Sequence, residues 1–105
     1  MGLPYYLTDR SVNEMESQMP SINTRVGQVS YTDTGTGSVV VLLHATLHDR
    51  RDFDPIVPTL SRTHRVIALD WPGHGGSSSP VTAPSAASYA DVLEDVVAAL
   101  DLPPA

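Results

Sequence analysis

Runs of apolar residues separated by glycine and proline divide the chain into predicted elements. Residues 39–43 are five consecutive valines and leucines without polar alternation, as expected of a strand covered on both faces in a parallel sheet. Residues 65–70 contain the apolar run Val66-Ile-Ala-Leu69 and predict a second such strand. Between them, residues 52–60 carry apolar side chains at helical spacing, with Asp49 or Asp52 available as a cap. Pro58 lies near the middle of this segment, so we expect the helix to be short or kinked.

The flanking segments predict a hairpin before these elements and a helix after them. Apolar positions from residue 21 onward lie among polar ones, with a turn at Gly27, and indicate two short strands. Residues 89–100 carry an apolar face at helical spacing, and Ser88 is the predicted cap. Residues 1–20 keep no period and are interpreted as an N-terminal extension to a single domain over residues 21–105. The order predicts a hairpin, one right-handed β-α-β unit and a trailing helix.

Composition narrows the classes of partner. The 105 residues include 12 acidic and 6 basic side chains, all six of them arginine, which gives a net charge of −6. No cationic stripe is available for nucleic acid or an anionic membrane, so we expect neither as a partner. No cysteine is present, which excludes thiolate chemistry and cysteine metal sites. The longest apolar run, residues 39–43, is too short to span a bilayer, and we expect a cytoplasmic protein.

Three motifs that are common in cofactor and nucleophile sites do not occur in the sequence. The pair Gly73 and Gly75 follows a predicted strand, but Ser78 stands where a dinucleotide fingerprint needs its third glycine. A Walker A motif requires lysine, which this chain lacks, so we expect no cofactor. No G-x-S-x-G nucleophile elbow is present. The serines at positions 77–79 are interpreted as turn formers rather than nucleophiles.

Three histidines and one aspartate are the remaining candidates for a metal site or a catalytic group. For the histidines and for the aspartate there are two interpretations each. His44, His48 and His74 could converge on a metal ion. The favoured alternative is that His44 and His74 hydrogen-bond backbone groups of the two loops that follow the predicted strands. Asp70, at the end of a strand, could act as a general base or nucleophile. The favoured alternative is that its carboxylate binds backbone amides of the following turn.

The order and spacing of these segments resemble the amino-terminal half of the α/β-hydrolase fold family. The most specific segment is Asp70-Trp-Pro-Gly-His-Gly-Gly-Ser77, which is similar to the family's D-x-x-G-x-G-x-S turn. The resemblance covers about residues 22–102. It implies an α/β class, a partial α/β-hydrolase fold with a mostly parallel three-layer sheet and strand order first-second-fourth-third.

The resemblance also implies roles for individual residues. His44 and Ala45 stand where the family has a His-Gly pair, so the backbone amide of Thr46 or of Leu47 would be the oxyanion-hole donor. His44 would be structural, and Ala45 in place of glycine would be strained if its φ were positive. The remaining positions of the implied structural motif are Asp70, Gly73, His74, Gly75 and Ser77.

The implied activity is hydrolysis of an ester, epoxide or carbon–halogen bond of a small-molecule substrate. The nucleophile would follow the helix at residues 89–100, so the chain is expected to supply scaffold and part of an oxyanion hole without a triad, and to be inactive alone. Thr46, Leu47, His48 and Trp71 are expected along one pocket wall, unless Trp71 packs against helices. The alternative is a non-enzymatic half-domain that dimerises, aggregates or complements another chain through the open edge at residues 39–43.

Overall fold

A computed structural model describes residues 19–81 and 83–103, and residues 1–18 of the extension predicted over residues 1–20 lie outside the described residues. Within these ranges four strands form one sheet: β1 (Ser21–Asn23), β2 (Gln28–Thr34), β3 (Ser38–Leu43) and β4 (His64–Leu69). Their order is β1-β2-β4-β3, which confirms the predicted order. The pairs β1–β2 and β2–β4 are antiparallel, whereas β3 and β4 are parallel, so the sheet is mixed over the described residues.

The hairpin forms where the apolar pattern predicted it. Thr24 N donates to Gly27 O at 3.0 Å and Gly27 N donates to Thr24 O at 3.2 Å, which closes the turn between β1 and β2. Ile22 and Val29, which face each other across the hairpin, are both buried. The alternation of apolar and polar residues therefore gives the hairpin one buried face.

The segment between β3 and β4 is broken into two short helical pieces. A 3-10 turn covers Arg50–Phe53 and the helix α1 covers Val57–Leu60. Asp49 caps the 3-10 turn, since its carboxylate accepts from Arg51 N at 2.9 Å. Proline has no N–H, and Pro55 and Pro58 prevent one continuous helix over residues 52–60. The expectation of a short or kinked helix is confirmed.

The trailing helix α2 covers Ala86–Ala99 and begins three residues earlier than predicted. Ser85 is its N-cap: the Ser85 hydroxyl accepts from Ser88 N at 3.0 Å, and the Ser88 hydroxyl accepts from Ser85 N at 2.8 Å. The prediction of Ser88 as the cap is therefore wrong. Ser88 is the reciprocal partner in a capping box, because the alanines between the two serines continue the helix toward the N-terminus.

The core lies between the sheet and α2. Val29 from β2, Leu69 from β4, and Val92 and Val96 from α2 are buried in one cluster. Residues 66–69 are all buried, as predicted for β4. Residues 39–42 of β3 are only half-buried, so the prediction that both faces of β3 are covered is wrong for the described chain. The reason is topological, since β3 is an edge strand that pairs with β4 alone among the described residues.

No helix within residues 19–81 and 83–103 is long and apolar enough to cross a membrane.

Candidate active site at the carboxyl ends of β3 and β4

Two loops meet at one edge of the sheet because β3 and β4 run parallel and in register, with Leu43 paired to Leu69. In open α/β sheets this edge, beyond the carboxyl ends of the strands, is where ligands bind. A cavity of about 770 Å³ lies between the loops and the start of α2. The residues that line this cavity include Thr46, Leu47, His48, Asp49, Pro72, Gly73, His74, Gly75 and Tyr89.

His44 joins the two loops from within the protein. It is buried; its Nε2 accepts from Trp71 N at 3.0 Å, and its Nδ1 lies 2.7 Å from Ala45 O. A ring whose Nε2 accepts carries its proton on Nδ1, so Nδ1 donates to that carbonyl. Trp71 Nε1 in turn donates to His44 O at 3.0 Å. Both nitrogens of His44 are therefore engaged with backbone groups.

His74 is held in the same way from the other loop. Its Nε2 accepts from Leu47 N at 3.1 Å, and its Nδ1 donates to Pro72 O at 3.1 Å. The ring lies 5.1 Å from that of His44, centroid to centroid. With the nitrogens of both rings occupied, the two histidines cannot join His48 on a metal. No group of three metal-ligating side chains was found in the described part of the chain.

The loop after β3 forms a tight turn over residues 45–48. His48 N donates to Ala45 O at 3.1 Å, and Leu47, the third residue, has a φ of 71°, as in a type II turn. The strain anticipated for Ala45 lies at Leu47 instead: among the described non-glycine residues only Leu47 and Asp101 have a positive φ.

The two amides predicted as candidate donors differ in their partners. The Leu47 amide already donates to His74 Nε2. The Thr46 amide has no acceptor among the described residues, and Thr46 lines the cavity. Geometry thus leaves the Thr46 N–H as the group that is free to bind a ligand oxygen.

Replacing Leu47 by glycine should stabilise the chain by about 1 kcal/mol, because a side chain in the left-handed region costs about that much. Leu47 is 90% exposed, so the variant loses little packing. The free energy of unfolding from urea titration measures the effect. Leu47→Ala retains Cβ and should not show the gain; an equal gain in both variants would contradict strain as the cause.

The side chain of Asp70 links the two loops of the site. Its side chain is 0% exposed and accepts from Arg50 N at 2.8 Å, Arg50 Nη1 at 2.6 Å and Gly76 N at 3.0 Å. The sequence predicts that the Asp70 carboxylate binds backbone amides of the turn that follows it, and the Gly76 amide belongs to that turn. Arg50 was missed: it lies in another loop, 20 positions earlier, and no spacing in the sequence links the two.

The loop after β4 is tied to the sheet through its serines. Ser77 Oγ donates to Asp70 O at 2.6 Å and accepts from Ser30 N at 2.8 Å, and Ser78 Oγ accepts from Gln28 N at 2.9 Å. These hydroxyls therefore bind backbone groups of β2 and of Asp70, the residue that follows β4. Their arrangement agrees with turn formation rather than with nucleophilic chemistry.

Trp71 packs inside the protein and does not line the cavity. It is buried and stacks on Tyr89 of α2, with ring centroids 4.4 Å apart. The expectation that Trp71 forms part of the pocket wall is therefore wrong, and its alternative, packing against a helix, is correct. Tyr89 covers Trp71 and supplies the wall of the cavity in its place.

A family model described as alpha/beta hydrolase fold matches residues 38–105. The match covers β3, β4, both loops of the site and α2. This chain belongs to the α/β-hydrolase fold family.

Similar proteins within this family differ in the reactions that they are named for. The chain is 33% identical over 90 residues to the 2-heptyl-3-hydroxy-4-quinolone dioxygenase of Rhodococcus erythropolis, which covers 79% of this chain and 31% of the relative. An esterase from Exiguobacterium antarcticum superposes with a TM-score of 0.75 at 25% identity, over 81% of this chain and 32% of that one. The N-acyl homoserine lactonase AidH gives 0.75 at 26% identity, over 79% and 32%. The chain thus spans about a third of the length of these α/β-hydrolase proteins.

One carboxylate of this α/β-hydrolase site has a strongly shifted pKa. Hydrogen bonds from the Arg51 guanidinium, at 3.0 and 2.7 Å, lower the pKa of Asp49 from 3.8 to about 2. Because the pKa of Asp49 is lower in the folded chain than in the unfolded chain, its negative charge stabilises the fold at pH values above the unfolded pKa. This stabilisation is lost as the pH falls from about 3.8 to about 2.

We therefore expect Asp49→Asn to lower the free energy of unfolding by about 1 kcal/mol at pH 7, since the partner guanidinium is exposed and screened. The difference from the parent chain should shrink below pH 4 and vanish near pH 2. Urea titrations across this range measure it. A constant difference at every pH would show that the charge of Asp49 contributes nothing.

Proposed function

We propose that this chain supplies the oxyanion-hole side of the active site in a hydrolase that cleaves an ester or lactone bond of a small-molecule substrate. The observation that carries the proposal is the unpartnered Thr46 amide in a turn beside the cavity. The esterase and lactonase with similar structures support this bond class. Epoxide and carbon–halogen bonds are the other classes that the fold accommodates.

The proposed mechanism rests on a donor that does not move during the reaction. The bond from His48 N to Ala45 O closes the turn, and the bond from Leu47 N to His74 fixes its far side. The Thr46 N–H is thereby preorganised to bind the oxygen on which negative charge develops. A nucleophile must attack the same carbonyl. No G-x-S-x-G elbow occurs in these 105 residues, so the proposal places the nucleophile outside them.

A chimera tests this proposal. Residues 21–102 of this chain replace the matching segment of the Exiguobacterium antarcticum esterase, which supplies the rest of the domain. We expect the chimera to hydrolyse p-nitrophenyl butyrate. Thr46→Pro should reduce kcat by about 100-fold or more, because it removes the amide hydrogen. Proline fits the second position of this type of turn, so the loop keeps its shape.

Thr46→Ala is the matched control, since it changes the side chain and keeps the N–H; its kcat should stay within about threefold of the parent chimera. Circular dichroism and a cooperative urea transition establish that each variant is folded. A folded chimera without turnover, or equal losses in the proline and alanine variants, would contradict the proposal.

The named activity of the dioxygenase relative supplies a second candidate. This relative matches over 79% of this chain. Under this candidate the same Thr46 amide binds an oxygen of a hydroxylated ring instead of an ester carbonyl. Oxygen uptake by the corresponding chimera with that enzyme, in the presence of a 3-hydroxy-4-quinolone, distinguishes it from hydrolysis.

The open edge of β3 supports a non-enzymatic candidate. Residues 39–43 carry no charge, and their strand pairs on one side only within the described sheet. Such an edge can pair with a strand of another chain or of a second copy. Size-exclusion chromatography with light scattering over a 100-fold range of concentration tests this candidate. A discrete dimer would favour it, and a monomer throughout would contradict self-pairing.

A further inference from the structure

His48 differs from His44 and His74 in having an unoccupied ring nitrogen. Both nitrogens of His44 and of His74 bind backbone groups. His48 lines the cavity, and its Nδ1 lies 2.6 Å from Asp52 Oδ2. Among the described residues its Nε2 has no partner.

The hydrogen bond to Asp52 determines the tautomer of the neutral His48 ring. A carboxylate can only accept, so Nδ1 of His48 carries a proton and donates to it. In the neutral ring Nε2 is then an acceptor with a free lone pair. The same pairing of carboxylate and imidazole orients the ring and fixes its tautomer in catalytic triads and metal sites. The Nε2 atom of the neutral His48 ring can therefore accept a hydrogen bond from a ligand.

Stability alone does not account for this pair. The side chains of His48 and Asp52 are 56% and 45% exposed, and exposed pairs four residues apart contribute only a few tenths of a kcal/mol. Their effect on a ligand can be larger, because His48 stands two residues from Thr46 in the same turn. The cavity therefore offers an N–H donor and an imidazole acceptor on one wall.

We infer that His48, oriented by Asp52, is a substrate-positioning residue that accepts a hydrogen bond from a hydroxyl or N–H group of the substrate. This inference rests on the proposed function, since it assigns the substrate's carbonyl oxygen to the Thr46 amide. The substrate class is a carbonyl compound with a hydrogen-bond donor close to the carbonyl group. A simple alkyl ester would leave His48 unused.

Two small ketones test the inference on the intact 105-residue chain. Acetophenone carries the carbonyl alone, and 2-hydroxy-1-phenylethanone adds one hydroxyl beside it. In NMR titrations we expect both to shift the Thr46 amide. Only the hydroxy ketone should shift the imidazole signals of His48, and it should bind about fivefold more tightly, as one added hydrogen bond provides.

Two variants distinguish a substrate-positioning role of His48 from a purely structural role. His48→Phe keeps a ring without an acceptor, and Asp52→Ala frees the imidazole to rotate and exchange tautomers. Each should bring the affinities of the two ketones to within twofold of each other. Asp54→Ala, which removes a carboxylate from an exposed neighbour, is the matched control and should retain the preference.

Several outcomes would overturn the inference. If both ketones shift Thr46 with equal affinity, or if the preference survives in His48→Phe, the hydroxyl is not bound by His48, and the proposed function stands. If neither ketone binds, the inference fails as well, and turnover of the chimera decides the proposed function separately.

Discussion

Asp70→Asn should lower the free energy of unfolding by about 3–5 kcal/mol, the loss expected when one partner of a buried ion pair is removed. The Asp70 carboxylate is 0% exposed and accepts three hydrogen bonds, two from Arg50 and one from Gly76. Asparagine has the same shape but presents an NH₂ group toward donors, so at least one of these bonds becomes a repulsive contact. Arg50 would also lose a charged acceptor in a nearly buried position.

Urea unfolding followed by circular dichroism measures this loss, with Asp54→Asn as the control. Asp54 is exposed, so its neutral variant changes the net charge equally and should shift the free energy by less than about 0.5 kcal/mol. If the two variants lose the same amount, net charge rather than the buried network is responsible. If Asp70→Asn leaves the midpoint unchanged, the three hydrogen bonds do not stabilise the fold.

Gly75→Ala should destabilise the chain by about 3 kcal/mol through the same carboxylate. Gly75 has a φ of 49°, and an added Cβ would lie 2.4 Å from Asp70 Oδ2. The left-handed backbone costs an alanine about 1 kcal/mol. Displacing the Asp70 carboxylate costs about 2 kcal/mol more, since a hydrogen bond to a charged group contributes about that much.

Gly73→Ala in the same loop is the matched control. Gly73 also has a positive φ, of 84°, but its added Cβ would meet only the ring of Pro80, with Cδ at 3.2 Å and Cγ at 3.9 Å. We expect it to cost about 1 kcal/mol, the backbone contribution alone. A double variant, Gly75→Ala with Asp70→Asn, should lose less than the sum of the single losses, because both act on one carboxylate. Strict additivity would contradict the shared cause.

Local patterns predicted the elements well where the period was clear. The hairpin, the two apolar runs that form β3 and β4, and the trailing helix all exist at the predicted places. Errors lie at element ends and at the sheet edge. Ser88 was expected to cap α2 but Ser85 does, because two serines three residues apart can both serve and only the backbone conformation decides between them.

Burial was harder to predict than strand type. The apolar residues of β3 were expected to be covered on both faces, yet residues 39–42 are only half-buried. An uninterrupted apolar run shows which side chains favour burial, but coverage depends on which neighbours the sheet provides. Trp71 shows the converse: its place at a strand end suggested a pocket wall, and stacking on Tyr89 removes it from the cavity.

The sequence by itself determined the strands, the turns and the two loops that form the site, because periodicity and turn residues act over a few positions. The order of motifs carried the resemblance that implied the family and the strand order. Only the tertiary structure decided which groups in those loops are free. His44 and His74 are occupied on both nitrogens, the Leu47 amide is taken while the Thr46 amide is open, and Asp70 holds Arg50. The hydrogen bonds that decide these outcomes include three between residues 20 or more positions apart, and the local spacing of side chains does not predict contacts over that distance.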